Sequence, residues 1–351
     1  MTNSVDMMAI IYYSNYYIGG MKVKKFMGLF VSLILIIGVL SGCSGSNNKD
    51  TQSKSDNTSA EQTKDNENSQ WPRTIKDATG KEIKFDKKPE RVVILHAAFL
   101  DYFFALETPP AASAGATVGN AMKALDEFET LKPYKGTANV MDLGSARDLN
   151  LEAVLKSKPD VIVTFKGHAD KIYDKLAKIA PVVQIDFKDS WQNKTMQCAK
   201  IIGKEDLANK IINETEKEIK NTKKLLENHK DKTVALLRVD GKGNFVALGS
   251  KDTLYYNKED GFNLSIPKGY PEDSKVISLE GLSKMNPDYI IFRHFPEIVN
   301  SAVEKQKTSP VWQSLNAVKN DQILFFDDSL NSESSLALQI SAKNLTKAIS
   351  K

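Results

Sequence analysis

The chain has 351 residues, 48 basic against 44 acidic side chains for a formal net charge of +4, and two cysteines. So small an excess argues against a nucleic-acid surface, and with one cysteine expected to carry lipid, no structural disulfide remains. The stretch from Trp71 to Lys351 is long enough for one large bilobed unit or two domains.

Residues 1–20 have no signal character, so Met21 is the expected true start and the stretch before it a mis-assigned extension. From Met21 the chain reads Met-Lys-Val-Lys-Lys, then runs apolar from Phe26 to Leu40. A basic start with an apolar run too short to span a bilayer comfortably marks a secretory signal. The ending Leu40-Ser41-Gly42-Cys43 resembles the bacterial lipobox. That resemblance implies a signal peptide over 21–42, cleavage before Cys43, and a diacylglycerol on its sulfur. Ser44 to Gln70 is almost wholly polar. It cannot bury enough surface to offset its ordering entropy, so 43–70 is expected to be a lipidated Cys on a disordered tether. The folded part would then face outward from the cell membrane.

The body opens on a predicted hairpin, Thr74 to Phe85, turning at Thr79-Gly80. Arg91–Leu95 reads as a buried strand and Ala98–Leu106 as an apolar helix. Strands are expected at Ser113–Val118, Val161–Phe165 and Val182–Phe187, with helices at Leu151–Ser157 and Ala169–Ile179. This alternation predicts a mostly parallel sheet covered on both faces. Ser190 to Lys230 is helical by pattern, with Ile201, Leu207, Ile211, Ile212, Ile219 and Leu225 at helical spacing. Cys198, within it, is expected to be a small buried hydrophobe. The second half repeats the theme more loosely. Its strands are predicted at Thr233–Val239, Asn244–Leu248, Tyr289–Phe292 and Gln322–Phe326, and its helices at Leu279–Met285, Pro310–Val318 and Ser334–Ile349.

Two of these stretches, 128 positions apart, share one pattern. Leu151-Glu152 leads to Pro159-Asp160 and an apolar run, as Leu279-Glu280 leads to Pro287-Asp288 and another. A short helix carries the Glu, Pro-Asp ends it, and a buried strand comes next. Repetition of that unit predicts two lobes of similar build with a cleft between them. The halves are read as 71–189 and 231–351, with 190–230 as a stiff spine joining them.

The lipobox, the early hairpin, Arg91-Val-Val-Ile-Leu95, the paired Leu-Glu and Pro-Asp units, the helical spine and Val311–Asn320 together resemble one family. It is that of the ferric-siderophore substrate-binding lipoproteins of ABC importers. The resemblance implies two Rossmann-like α/β lobes joined by a long rigid helix, in a monomer that binds an anionic ferric siderophore. It also implies that Glu152 and Glu280 dock on Arg pockets of the permease subunits, where two separated carboxylates would fix register as well as attraction.

Ligands of α/β sheets lie beyond the carboxyl ends of the strands. His96 follows the first strand, Arg147 precedes the Glu152 unit, and Lys166 and His168 follow Val161–Phe165. Arg238 ends Thr233–Val239, and Arg293 and His294 follow Tyr289–Phe292. Lys166 aligns with His294 across the repeat. The resemblance implies that Tyr255, with Tyr256, forms an aromatic wall. Arg and Lys suit a ferric complex rimmed with oxygen acceptors. His229 falls outside these positions.

No nucleophile elbow, zinc-protease helix, phosphate loop or Cys–His pair is present, so the reading is capture without chemistry. Three rival readings stand beside it. The same fold could hold haem or a corrinoid, with His96, Met141 or His294 as axial ligand. His96, His168 and His294 could hold zinc or manganese directly, although their intervals match no recognised ligand spacing. The third rival is a tethered surface hydrolase or adhesin.

Overall fold

The computed structural model describes residues 71–115, 125–251 and 253–349. The signal segment, Cys43, the tether and the end of the strand expected at Ser113–Val118 lie outside the described residues. The described residues open on an antiparallel hairpin, β1 (Arg73–Lys76) and β2 (Glu82–Phe85), in which Ile75 faces Ile83. Asp77 closes its turn by accepting the N–H groups of Thr79 and Lys81 at 2.9 and 3.0 Å.

The first lobe contains β3 (Val92–Ile94), α1 (Leu100–Ala105), β4 (Ala112–Ser113), β5 (Met141–Asp142) and α2 (Leu151–Lys156). It continues with β6 (Val161–Phe165), α3 (Tyr173–Ala177) and β7 (Val182–Ile185). Its five strands lie in the order β5-β4-β3-β6-β7, and every pairing is parallel. Strands β3, β6 and β7 are buried along their whole length, as a sheet covered on both faces requires.

Helices α4 (Trp191–Ile202) and α5 (Glu205–Leu226) come next, so the predicted spine is two helices. Gly203, in the left-handed region at φ 69°, makes the break between them. Leu207, Ala208 and Ile211 of α5 pack on the first-lobe core, whereas Ile212, Ile219 and Leu226 pack on the second. One helix thus buries its apolar stripe in both cores. Leu225, expected on that stripe, is 47% exposed. Cys198 is fully buried, as expected, and burial pushes its thiol well above the usual range.

The second lobe comprises β8 (Val234–Val239), β9 (Phe245–Ala247), β10 (Lys275–Val276), α6 (Leu279–Met285) and β11 (Tyr289–Arg293). After these come α7 (Pro296–Gln306), α8 (Pro310–Ser314), α9 (Asn316–Lys319), β12 (Ile323–Phe326) and α10 (Ser335–Ile349). The strand order, β10-β9-β8-β11-β12, matches the first lobe position for position. Here, however, β9 runs antiparallel to both of its neighbours, β8 and β10. A tight turn from Asp240 to Asn244 makes a hairpin where the first lobe has a helical crossover; Asp240 accepts the N–H groups of Lys242 and Asn244 at 2.8 Å each. The single helix expected over Pro310–Val318 is two, because Leu315 is extended at ψ 138°. The Asn286 side chain accepts the freed Asn316 N–H at 2.9 Å.

The repeated pattern has a physical basis. Asn150 and Ser278 cap α2 and α6 by accepting N–H groups of their first turns. Lys158 and Asn286, also 128 positions apart, both turn left-handed, at φ 49° and 38°, to release the chain toward the proline. Asp160 then accepts the N–H groups of Glu90 and Arg91 at 3.0 and 2.9 Å, at the start of β3. Asp288 accepts the N–H and hydroxyl of Thr233, each at 2.9 Å, at the start of β8. Each Asp clips its own strand's neighbour into register.

Replacing Asp288 with Ala leaves Thr233 without these acceptors and is expected to cost about 1–3 kcal/mol. The measure is the urea midpoint at unchanged slope; an unmoved midpoint would show that the clip contributes nothing.

Candidate ligand cleft

The carboxyl ends of β3, β6 and β7 in one lobe and of β8 and β11 in the other carry the residues of interest. His96 follows β3 and caps the short turn Ala97–Phe99, its Nδ1 accepting the Ala98 N–H at 3.2 Å. A nitrogen that accepts holds a lone pair, so the proton of the neutral ring sits on Nε2. Burial, with the neighbouring His168 ring, lowers the His96 pKa to about 4. His168 lies within hydrogen-bond reach of the Ala146 carbonyl through Nε2 at 2.7 Å and of the Thr164 hydroxyl through Nδ1 at 2.8 Å. A carbonyl only accepts, so Nε2 carries the proton there too, and both nitrogens of His168 are engaged within the lobe. Burial again shifts its pKa down.

Around these rings runs a chain of aromatic contacts, with Phe165 buried at its centre and Phe187 exposed at its end. Phe165 stacks on His168 at 4.4 Å between centroids and meets His96 edge-on at 5.3 Å. Phe187, two residues beyond β7, lies 5.7 Å from Phe165. Lys166 and Arg147 are exposed.

On the second lobe Arg238 is half-buried near the end of β8, and its Nε is buried with no acceptor among the described residues. His294 accepts the Phe295 N–H on Nδ1 at 2.7 Å, which leaves its proton on Nε2. Burial first, and the Arg238 charge second, lower its pKa to about 4.

Two expected cleft residues sit elsewhere. Tyr255 is 0% exposed, and its hydroxyl meets Ser341 Oγ at 2.5 Å inside the second-lobe core, so it forms no cleft wall. Tyr256 is buried too, donating to the Val234 carbonyl at 2.8 Å. Arg293 is 3% exposed and donates to Thr253 Oγ1 at 3.0 Å and the Leu330 carbonyl at 2.8 Å. Its guanidinium carbon lies 4.3 Å from the Tyr255 ring centroid, and Glu333 stands 3.9 Å from Nη1. Successive residues on a strand point to opposite faces, and this separates Arg293 from His294. Met141 packs on the first-lobe core.

Three features escaped the sequence reading. Asp101, on α1, is buried between the lobes, its Oδ1 accepting from Thr130 at 2.9 Å and its Oδ2 from Ser332 and Ser334 at 2.7 Å each. Burial raises its pKa. Alongside, Asp327 accepts the Glu129 N–H at 3.2 Å, and Phe128 and Phe295 face each other at 6.4 Å. The third feature is Lys194, deep on α4, whose ammonium lies 5.3 Å from the Phe187 ring and whose pKa burial lowers. It shares a cavity of about 130 Å³ with Trp191, Leu254 and Glu333. Hydroxyl and carboxylate side chains scattered over 233 positions carry no periodic signal, so these could be found only by folding the chain.

Glu152 and Glu280 are exposed in the first turns of α2 and α6, one on each lobe. Hydrogen bonds from its own N–H and from Ser278 hold the Glu280 carboxyl below the usual range.

Two α/β lobes bridged by a helix buried in both cores, with hydrogen-bond donors at the strand ends of each, define a two-lobe solute-binding protein. Residues 92–330 match the periplasmic binding protein family, and the chain belongs to it. That is a family of binding proteins, not of enzymes. The Fe(3+)-citrate-binding protein YfmC of Bacillus subtilis (strain 168) is 28% identical over 306 residues, 86% of this chain and 89% of its own. The Fe(3+) dicitrate-binding periplasmic protein FecB of Escherichia coli (strain K12) is 26% identical, over 72% of this chain and 82% of its own. The fold matches the iron-uptake system-binding protein FeuA from Bacillus subtilis with a TM-score of 0.64 at 22% identity, over 78% of this chain and 100% of that one.

The lowered histidine pKa values carry a prediction for stability. His96 and His294 are neutral when folded down to about pH 4 and titrate near 6.5 when unfolded. The unfolded state therefore binds more protons below 6.5, and stability present above that pH is lost as pH falls toward 4. His96→Asn, which keeps an acceptor for the Ala98 N–H and cannot titrate, is expected to flatten that loss. Urea unfolding at pH 7, 5.5 and 4.5 measures it; identical slopes for both proteins would refute the assignment.

Proposed function

We propose that this chain captures an anionic ferric siderophore in the cleft between its lobes and delivers it to an ABC-type importer. It does so as a monomer on the outward face of the cell membrane, held by lipid on Cys43. The observation that carries the reading is Arg238, half-buried beside His294 with a buried Nε that has no acceptor among the described residues. His96 and His294 each have a proton on Nε2, so they too are donors. Desolvated donors without acceptors favour an anion with a rim of oxygens. The match to iron-chelate-binding relatives over most of the chain supports the same reading.

In this reading Arg238, His294 and His96 contact the ligand, Lys166 and Arg147 contribute charge at the rim, and His168 orients the Ala146 loop. Arg293 acts from within, bracing Thr253 and Leu330. Glu152 and Glu280 dock on the permease. A haem or zinc reading is less favourable. Nε2 of each histidine already carries a proton, so metal ligation there would require the ring to give up its backbone partner. Among the described residues, moreover, no group of three or more His, Cys, Asp or Glu gathers to hold a metal.

Trp191 and Trp312 give an intrinsic signal for titration. Saturable quenching by anionic ferric chelates is expected, with none by haem, cobalamin or zinc. Arg238→Ala is expected to weaken binding about 10- to 100-fold, the size of a hydrogen bond to a charged group. Arg293→Ala is expected instead to lower the thermal midpoint. Quenching by haem or zinc alone would end the proposal.

Docking is tested apart from binding. The double variant Glu152→Ala, Glu280→Ala should keep chelate affinity and abolish iron uptake by cells. A parallel fall in affinity would place these carboxylates in the ligand site instead.

A further inference from the structure

We infer that the cleft is built for aryl chelates of ferric iron, of the catecholate kind, in preference to hydroxycarboxylate chelates, and that Phe187 supplies the ring on which they stack. The inference rests on the ferric-chelate reading of the cleft and narrows it to one ligand chemistry.

The two walls differ in kind. On the second lobe the strand ends offer Arg238 and the Nε2–H of His294, which are charge and donors. On the first lobe they offer rings. Phe187, Phe165, His168 and His96 form a continuous chain of contacts, with Phe165 at 5.7, 4.4 and 5.3 Å from the other three in that order, across the ends of β7, β6 and β3. The two histidines are neutral at ordinary pH, so this shelf carries no charge of its own. Phe187 is 49% exposed, whereas Phe99, Phe103 and Phe104 of the same lobe are buried. A half-bare phenyl ring loses contact with water when a flat ligand covers it, and stacked aromatic pairs gain further from offset geometry. The Lys194 ammonium, 5.3 Å from the Phe187 ring, adds positive charge at the same place.

A ferric hydroxycarboxylate complex is sheathed in carboxylates and short methylene arms, and it has no flat face. Positive charge meets it on both walls, from Arg238 on one and from Lys194, Lys166 and Arg147 on the other, but it has nothing to lay against the rings. A ferric catecholate presents phenolate oxygens, which answer Arg238, His294 and the His96 Nε2–H, and aryl faces, which answer the shelf. Both features of the cleft are used only by the second ligand.

The test uses the purified full-length chain in detergent, titrated by tryptophan fluorescence with iron(III) tris(2,3-dihydroxybenzoate) and with ferric dicitrate. The expected result is at least tenfold tighter binding of the catecholate. Phe187→Ala should weaken it about 10- to 100-fold while leaving ferric dicitrate within about twofold. Phe187→Tyr, which keeps the ring, should restore binding and guards against a folding defect in the Ala variant. Equal or tighter binding of ferric dicitrate, or a Phe187→Ala effect that is absent or the same for both chelates, would overturn the inference and leave the proposed function standing. Binding of neither chelate would overturn both.

Discussion

The arrangement of the cleft depends on a buried carboxylate. Asp101 lies between the lobes and accepts three hydroxyl hydrogen bonds, one from Thr130 on its own side and two from Ser332 and Ser334 on the other. Taking a carboxylate out of water is expensive, and its acceptor sites must be filled to offset the loss. The three hydroxyls fill them, but only when the segment before α10 lies against α1. Burial still raises the Asp101 pKa, so compensation is incomplete. The latch is therefore a device for relative position more than for net stability.

Helix α5 works in the same sense by a different force. Its apolar stripe enters the first core at Leu207, Ala208 and Ile211 and the second at Ile219 and Leu226. Separating the lobes would expose apolar surface at one end of the helix or the other. Gln339 of α10 donates to Thr215 of α5 at 2.8 Å and ties the carboxyl-terminal helix to the same spine. Hydrogen bonds at the latch and apolar burial along the spine both oppose separation of the lobes.

Much of the fold was legible because its signals are local. The Asn150 and Ser278 caps, the left-handed Lys158 and Asn286, and the Pro-Asp pairs each act over a few residues, so the repeat could be read directly. The matched strand order of the two sheets accords with it. Strands β5 and β10, of two residues each, were too short to leave a period. The strands expected at Thr233–Val239 and Asn244–Leu248 leave room only for a turn, and Asp240 closes it. The site was less legible. Arg238 and His294 were read at strand ends and do stand together, whereas Arg293, read by the same rule, is inside, as is Tyr255, expected from the family resemblance.

By itself, then, the amino-acid sequence determined the elements, their duplication and the exposed glutamates of α2 and α6, since these depend on caps, turns and periodicity within one segment. Tertiary structure alone decided which charges are available to a ligand. Arg293 and His294 are neighbours in the chain, but strand alternation sends one beneath Tyr255 and the other toward Arg238. It alone also assembled the Asp101 latch and the shelf ending at Phe187, because their members come from segments that meet only when both cores have formed.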